Sequence, residues 1–267
     1  MTHTTSTTTP DAPLQVERNG AVVTLRFNRP GALNAVNVPM AQAFLQAARE
    51  LASDSSVRAI VLCGAGKGFM AGGDLATLRA NPRQAAAELI GPLHDAIALL
   101  AAQDAPLIAQ VHGVAAGAGL SLMLQADFVI VAEGTRFSMA YVNIGASCDV
   151  GASWALPRLV GLRRALEISM LGETLSCAQA LQLGLVNRVV PAAELETEVT
   201  AFALRLAGGP TAALGRLRRL MRESFGRDLP AQLAAEADAF TQCAETEDFK
   251  TGIDAFFAKQ PARFVGH

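Results

Sequence analysis

The chain lacks the patterns that mark several large protein classes. Among its 267 residues there is one tryptophan and one tyrosine, and aromatics make up 5%. No apolar run reaches the roughly 18 residues that a membrane-spanning helix needs, so no membrane partner is expected. The first residues, Met1 to Pro13, are Thr-rich and polar. They have neither the basic nor the apolar block of a secretory leader and read as a disordered tail, 1–13. Neither charge sign dominates: 22 Lys and Arg stand against 24 Asp and Glu, a formal net charge of −2. That balance argues against nucleic acid as the main partner. Arg216, Arg218, Arg219 and Arg222 cluster, but no aromatics interleave with them. A solvated face or a subunit salt-bridge surface is the plainer reading. Cys63, Cys148, Cys177 and Cys243 are scattered without metal-ligand spacing. They indicate free thiols in a reducing cytoplasm, and no metal is expected.

Nucleotide and serine-hydrolase signatures are missing as well. Gly64-Ala-Gly-Lys-Gly does not complete a G-x-x-x-x-G-K-[ST] phosphate loop, and neither glycine-rich stretch completes G-x-G-x-x-G. Ser121 has no closing glycine and makes no nucleophile elbow.

What the chain does have is two glycine-rich stretches, Gly64 to Asp74 and Gly113 to Ser121. Each follows a short apolar run, Ala59 to Leu62 and Leu107 to Val111. Two such loops can aim peptide N–H groups at one point and hold a carbonyl oxygen as it becomes negative. The pattern therefore points to acyl chemistry through an enolate or a tetrahedral oxyanion. Apolar residues make up 51%, enough for one large core.

The periodicity predicts repeated strand-then-helix order and hence α/β architecture. Leu14 to Phe27 reads as two strands around an Asn19-Gly20 turn. A helix is expected from Val38 to Leu51 and buried strands at Val57 to Cys63 and Pro106 to Val111. Gln84 to Ala102 reads as helical, with a break or kink at Gly91-Pro92. A buried helix at Gly117 to Gln125 and strands at Phe128 to Ala132 and Leu185 to Val190 follow, with a short helix at Ala178 to Leu183. From about Ala193 the chain reads as nearly all helix. Phe249, Ile253 and Phe256 are spaced for one apolar face, and Phe257 widens it. Trp154 and His112 read as packed residues, and Cys148 likewise.

Four motifs in order resemble the crotonase superfamily, the enoyl-CoA hydratase/isomerase fold. They are Asn28 to Ala35, the loop carrying Gly64, Gly66, Phe69, Ala71, Gly72 and Asp74, the loop carrying Gly113, Ala115, Gly117, Gly119, Leu122 and Asp127, and Gly151 to Gly161. The similarity runs from about Leu14 to Phe264. It implies a spiral of ββα repeats over 14–200 with the acyl-CoA site, then a helical oligomerisation region, 201–267, that makes homotrimers, often paired into hexamers. It also implies that the oxyanion hole is made by the backbone N–H groups of Gly73 and Ala118. Ala118 opens a helix whose N-terminus favours negative charge. Ala32 and Leu33 are implied to offer backbone groups near the CoA adenine, with Ala71 beside it. Phe256 and Lys259 match positions that reach CoA, sometimes from a neighbouring subunit. Coenzyme A enters only as part of the thioester substrate, and no separate cofactor is expected.

The chain departs from the family's hydratases at both of their catalytic glutamates, which align with Ser121 and Tyr141. Neither is a carboxylate base, and a tyrosine with a pKa of about 10 is neutral near pH 7. One acid remains nearby, Asp149, whose position resembles the catalytic aspartate of dienoyl-CoA and epoxyphenylacetyl-CoA isomerases and the nucleophilic aspartate of 4-chlorobenzoyl-CoA dehalogenases. A single base suffices to move a proton from one carbon to another. Ile144, Ala146 and Val150 are placed to desolvate it. Ser121 and Tyr141 are expected to line the acyl pocket, with Tyr141 orienting substrate, stacking on it, or serving as plain core. Asp74 is expected to hold its loop. The leading expectation is an enoyl-CoA isomerase. Water addition to a trans-2-enoyl-CoA and a catalytically silent acyl-CoA-binding subunit are the alternatives.

Overall fold

The computed structural model describes residues 5–6 and 8–267. Strand β1, Thr5–Ser6, pairs antiparallel with β2, Leu14–Asn19, which turns through Gly20 into β3, Val22–Phe27. From β3 onward the sheet is parallel: β4, Ala59–Gly64, and β5, Leu107–Val111, follow by way of α1, Val38–Ala52, α2, Leu75–Ala80, and α3, Pro82–Ala102. A short strand, β6, Val114–Ala116, leads into α4, Ala118–Met123, and then to β7, Phe128–Ala132, beside β5. After β8, Arg136–Ser138, come α5, Ala152–Val160, α6, Leu162–Leu171, β9, Leu175–Ser176, α7, Cys177–Gln182, and β10, Arg188–Val190. Among the described residues the main sheet has the order β1-β2-β3-β4-β5-β7-β10, and β6-β8-β9 form a second, small sheet. The C-terminal region is four helices: α8, Leu195–Ala207, α9, Thr211–Glu223, α10, Leu229–Ala244, and α11, Glu247–Ala258.

The parallel strands are covered on both faces, which explains why β4 reads as an unbroken apolar run. Leu25, Ile60, Leu62, Ala109 and Val131 point into the larger core, against α1, α3 and α4. Their neighbours Val22, Ala59, Val61, Ile108 and Ile130 point the other way, onto Val199 and Ala203 of α8. The alternation along each strand thus assigns the two sides. The carboxyl ends of β4 and β5 open into the two glycine loops, at the sheet edge where α/β folds place ligands.

Several expectations are corrected here. The expected tail, 1–13, includes residues 1–4 and 7, which lie outside the described residues. Residues 8–13 are tied down: the Pro10 carbonyl accepts from Gln15 and Asn28 side chains, and Asn28 also donates to Ala12. Helix α3 runs unbroken through Pro92. Proline forfeits one main-chain bond there, but Leu89, Leu93, Ala96 and Leu100 pack on both sides of it and hold the helix together. By length and composition α3 could also cross a membrane. Its buried apolar face, however, belongs to the core against α1. Trp154 is 41% exposed rather than core, with the Arg158 guanidinium stacked 4.3 Å from its ring.

The arginine cluster on α9 is neither a solvated face nor a free salt-bridge surface. Arg218 is 8% exposed and donates to the Leu100 and Gln103 carbonyls. Its Nε lies 2.9 Å from Asp127 Oδ1, an ion pair rather than an aligned hydrogen bond. Arg222 reaches the same oxygen at 2.8 Å, and Asp127 Oδ2 accepts the Leu107 N–H. Arg219 pairs with Asp104 at the surface. Asp127 therefore clamps α9 onto the amino end of β5. Asp127→Ala leaves Arg218 buried without its counter-charge, and denaturant unfolding followed by circular dichroism should show a loss of about 3–5 kcal/mol. Arg219→Ala, at the exposed pair, should cost about 1 kcal/mol or less.

Candidate active site

The first glycine loop is braced by a residue that composition does not reveal. Asn34 is fully buried with left-handed backbone, φ 57°. Its side-chain oxygen accepts the Arg29 N–H, and its amide donates to the Ala65, Gly68 and Phe69 carbonyls. The turn that includes Ala32 and Leu33 is thereby stitched to the loop after β4. Ala71 N–H donates to the Leu33 carbonyl at 3.0 Å, and Val36 N–H to Gly72 at 2.8 Å. Asp74 holds the loop, as expected: it accepts from Ala76 and Thr77 at the start of α2 and pairs with Arg29 at 3.0 Å. His112 is likewise structural, donating to the Gly66 carbonyl.

The two glycine loops touch backbone to backbone. Met70 and Ala115 form a bridge in which Met70 N–H donates to Val114 and Ala116 N–H to Met70. A Cβ at Gly119 would collide with the Met70 carbonyl. Gly117, at φ 50° and ψ −123°, makes a bend that a side chain would strain, and it lies against Gly72. The result brings Gly72 against the start of α4, where a Cβ on it would stand 3.7 Å from the Ala118 nitrogen. The bridge between Val36 and Gly73 uses the Gly72 carbonyl and the Asp74 N–H, so the Gly73 N–H takes no part in it. The Ala118 N–H opens α4 and lies outside the helix ladder. Both residues border one cavity of about 590 Å³. Apolar side chains from α2 and α3, among them Leu78, Leu89 and Leu93, form much of its wall.

Asp149, Tyr141, Cys148 and His94 line the same cavity. Tyr141 donates a short hydrogen bond to Asp149 Oδ1, and Ser121 Oγ lies 2.9 Å from the Tyr141 hydroxyl. Since Tyr141 spends its proton on Asp149, Ser121 donates to it. Ser121 and Tyr141 thus form a hydrogen-bonded relay ending on Asp149. Ser121 is fully buried beneath Tyr141, so it supports the cavity rather than lining it. Burial pushes the Asp149 carboxyl up from its ordinary value, against the opposing pull of the Tyr141 hydroxyl. Burial, and then the neighbouring Asp149 charge, hold the Tyr141 phenol far above its usual value, so it stays protonated.

Ala71 borders the cavity, and its N–H ties Leu33 to it; Ala32 and Leu33 are not among the described residues lining it. Phe256 and Lys259 are not brought to it within the chain. Phe256, 78% exposed, lines a separate apolar cleft with Phe249, Ile253 and Phe264, and Lys259 caps α11. Sequence reasoning missed Asn34 and His94. For His94 a signal existed: a titratable residue next to Leu93 in a stretch of apolar helical spacing.

The family model described as enoyl-CoA hydratase/isomerase matches residues 17–267, and the chain belongs to that family. It is similar to the 1,2-epoxyphenylacetyl-CoA isomerase of Escherichia coli K12, with 35% identity over 92% of this chain and 95% of that protein. It is 34% identical to a Rhodobacter capsulatus protein named "Probable enoyl-CoA hydratase", over 94% and 96% of the two chains. The crystal structure of an enoyl-CoA hydratase from Polaromonas sp. JS666 superimposes with a TM-score of 0.89 at 34% identity, covering 94% of this chain and 99% of that one. The fold expected from the sequence, a crotonase-type α/β core followed by C-terminal helices, is the one found, and the protein is a crotonase-type enzyme.

The Asp149 environment carries a stability consequence. Its folded pKa lies above its unfolded value, near 3.8, so the folded state binds the proton more tightly. Ionising it costs stability that is intact at low pH and is lost as pH rises through the folded pKa. Asp149→Asn keeps an acceptor for Tyr141 and removes the charge. Its melting temperature should exceed that of the wild type at pH 7, and the gap should close toward pH 4.

Proposed function

We propose that the protein isomerises an enoyl-CoA thioester by moving a proton between carbons α and γ to the carbonyl. Asp149 takes the proton and returns it, and the N–H groups of Gly73 and Ala118 hold the thioester oxygen as the enolate forms. Tyr141, steadied by Ser121, keeps the carboxylate aimed. The observation that carries this reading is that Asp149 is the single carboxylate among the described residues lining the cavity, held by Tyr141 and, behind it, Ser121. The apolar wall suits an apolar acyl group. A reading as a hydratase draws on the similarity to proteins named so; there Asp149 and Tyr141 together would position the water.

In this reading the substrate supplies coenzyme A and neither a metal nor another cofactor is needed. The backbone of Ala32, Leu33 and Ala71 meets the adenine. Phe256 and Lys259 reach CoA from a neighbouring copy in a homotrimer or hexamer. The exposed Phe256 and Phe257 support that assembly, since isolated surface patches of this kind are contact sites. The reading also places the protein in the cytoplasm, without membrane or nucleic acid, consistent with its free cysteines.

Purified protein given a 3-enoyl-CoA should produce the ultraviolet absorbance of a conjugated thioester at constant mass, and Asp149→Asn should lower kcat by about 10²–10⁴-fold. A trans-2-enoyl-CoA that gains the mass of water would establish the hydratase reading. No turnover of either ester, with CoA-ester binding indifferent to Asp149→Asn, would mark a silent binding subunit. Sedimentation should give three or six times the 27.8 kDa chain mass, and a monomer would remove Phe256 and Lys259 from the site.

A further inference from the structure

The turn behind Asp149 is held in an unusual way. Val150 is buried and left-handed at φ 55°, and Gly151 follows at φ 74°. A β-branched residue keeps that conformation only where its surroundings over-determine it. One tie lies within the turn, where Ala152 N–H donates to the Asp149 carbonyl. A second is a contact, since any side chain at Gly151 would press on the Gln125 amide. A third crosses 56 positions of sequence: Val150 N–H donates to His94 Nε2 at 3.1 Å. That tie joins the turn to α3 on the cavity wall.

We infer that His94 is a positioning residue, its neutral imidazole accepting the Val150 N–H and holding the left-handed turn that aims Asp149 into the cavity; the inference rests on Asp149 being the acting base. An imidazole that accepts at Nε2 carries its one proton on Nδ1. A second proton makes Nε2 a donor facing a donor, and the tie is lost. The titratable groups that share the cavity with the ring are Asp149, Tyr141 and Cys148. From α2 the cavity wall receives Leu75 and Leu78, and the buried face of α1 is apolar. Asp149 is therefore the one charged group facing His94 among the described residues lining the cavity.

Two variants of the full chain test this. His94→Leu removes the acceptor, and His94→Gln keeps one at similar reach that does not titrate. Each is measured for kcat, KM, the pH dependence of kcat, and hydrogen exchange over residues 146–152. In His94→Leu, kcat should fall on the order of 100-fold with KM little changed, as expected for a misplaced group. The 146–152 segment should exchange faster. His94→Gln should recover most of kcat, restore exchange protection and make the acid limb shallower. Unchanged kcat and exchange in His94→Leu would overturn the inference. So would a His94→Gln as inactive as His94→Leu despite restored protection, because the imidazole would then be moving protons itself. If Asp149→Asn turns over normally, the base assignment fails, while the exchange data still decide whether His94 holds the turn.

Discussion

Everything at the active site depends on two stretches of bare backbone approaching closer than side chains permit. The Met70 to Ala115 bridge and the contact of Gly119 with the Met70 carbonyl bring the loop after β4 onto the loop after β5. That approach sets where α4 begins, and so where the Ala118 N–H stands relative to Gly73. Asn34 supports it from outside with one buried side chain that satisfies carbonyls an irregular loop would otherwise leave unpaired. A methyl group in the wrong place on either loop would separate the two N–H groups. The chemistry is thus built first from conformation and only second from side chains.

Asp149 shows the opposite strategy, in which a side chain is kept in an unfavourable state. Burial raises its proton affinity, and the left-handed Val150 behind it adds backbone strain. Tyr141, Ser121 and His94 are the ties that hold it there. A carboxylate that is too comfortable makes a weak base. One held in an apolar wall binds its proton more tightly, at the expense of folding stability once it ionises. The relay from Ser121 through Tyr141 holds the Asp149 carboxyl in one orientation.

The C-terminal helices divide into two kinds. Helices α8 and α9 belong to the core, one by apolar packing on the sheet and the other through the Asp127 clamp. Helices α10 and α11 contribute almost no buried side chain and leave Phe256 and Phe257 exposed.

Much of this was legible in the order of residues. The glycine loops, the buried strands and the helix at Val38 follow from local pattern, because glycine conformation and apolar periodicity act over a few neighbours, whereas Asp149 was singled out by family resemblance. The errors lie where contacts span long stretches of chain. Pro92 did not break α3 because residues on both sides pack on α1. Arg218 looked solvated, yet it reaches the Leu100 carbonyl across 118 positions. Trp154 looked buried, yet its helix turns it outward. The small sheet of β6, β8 and β9 has strands of two or three residues, too short for alternation to register. By itself the sequence determined the loop conformations and the alternation of strands and helices. Only the tertiary structure decided that His94 meets Val150, that Ser121 meets Tyr141 and Tyr141 meets Asp149, and that Phe256 lies away from the site in a single chain. Those meetings depend on how each helix is rotated and where each loop crosses, which is set by packing of the whole core and not by any local run of residues.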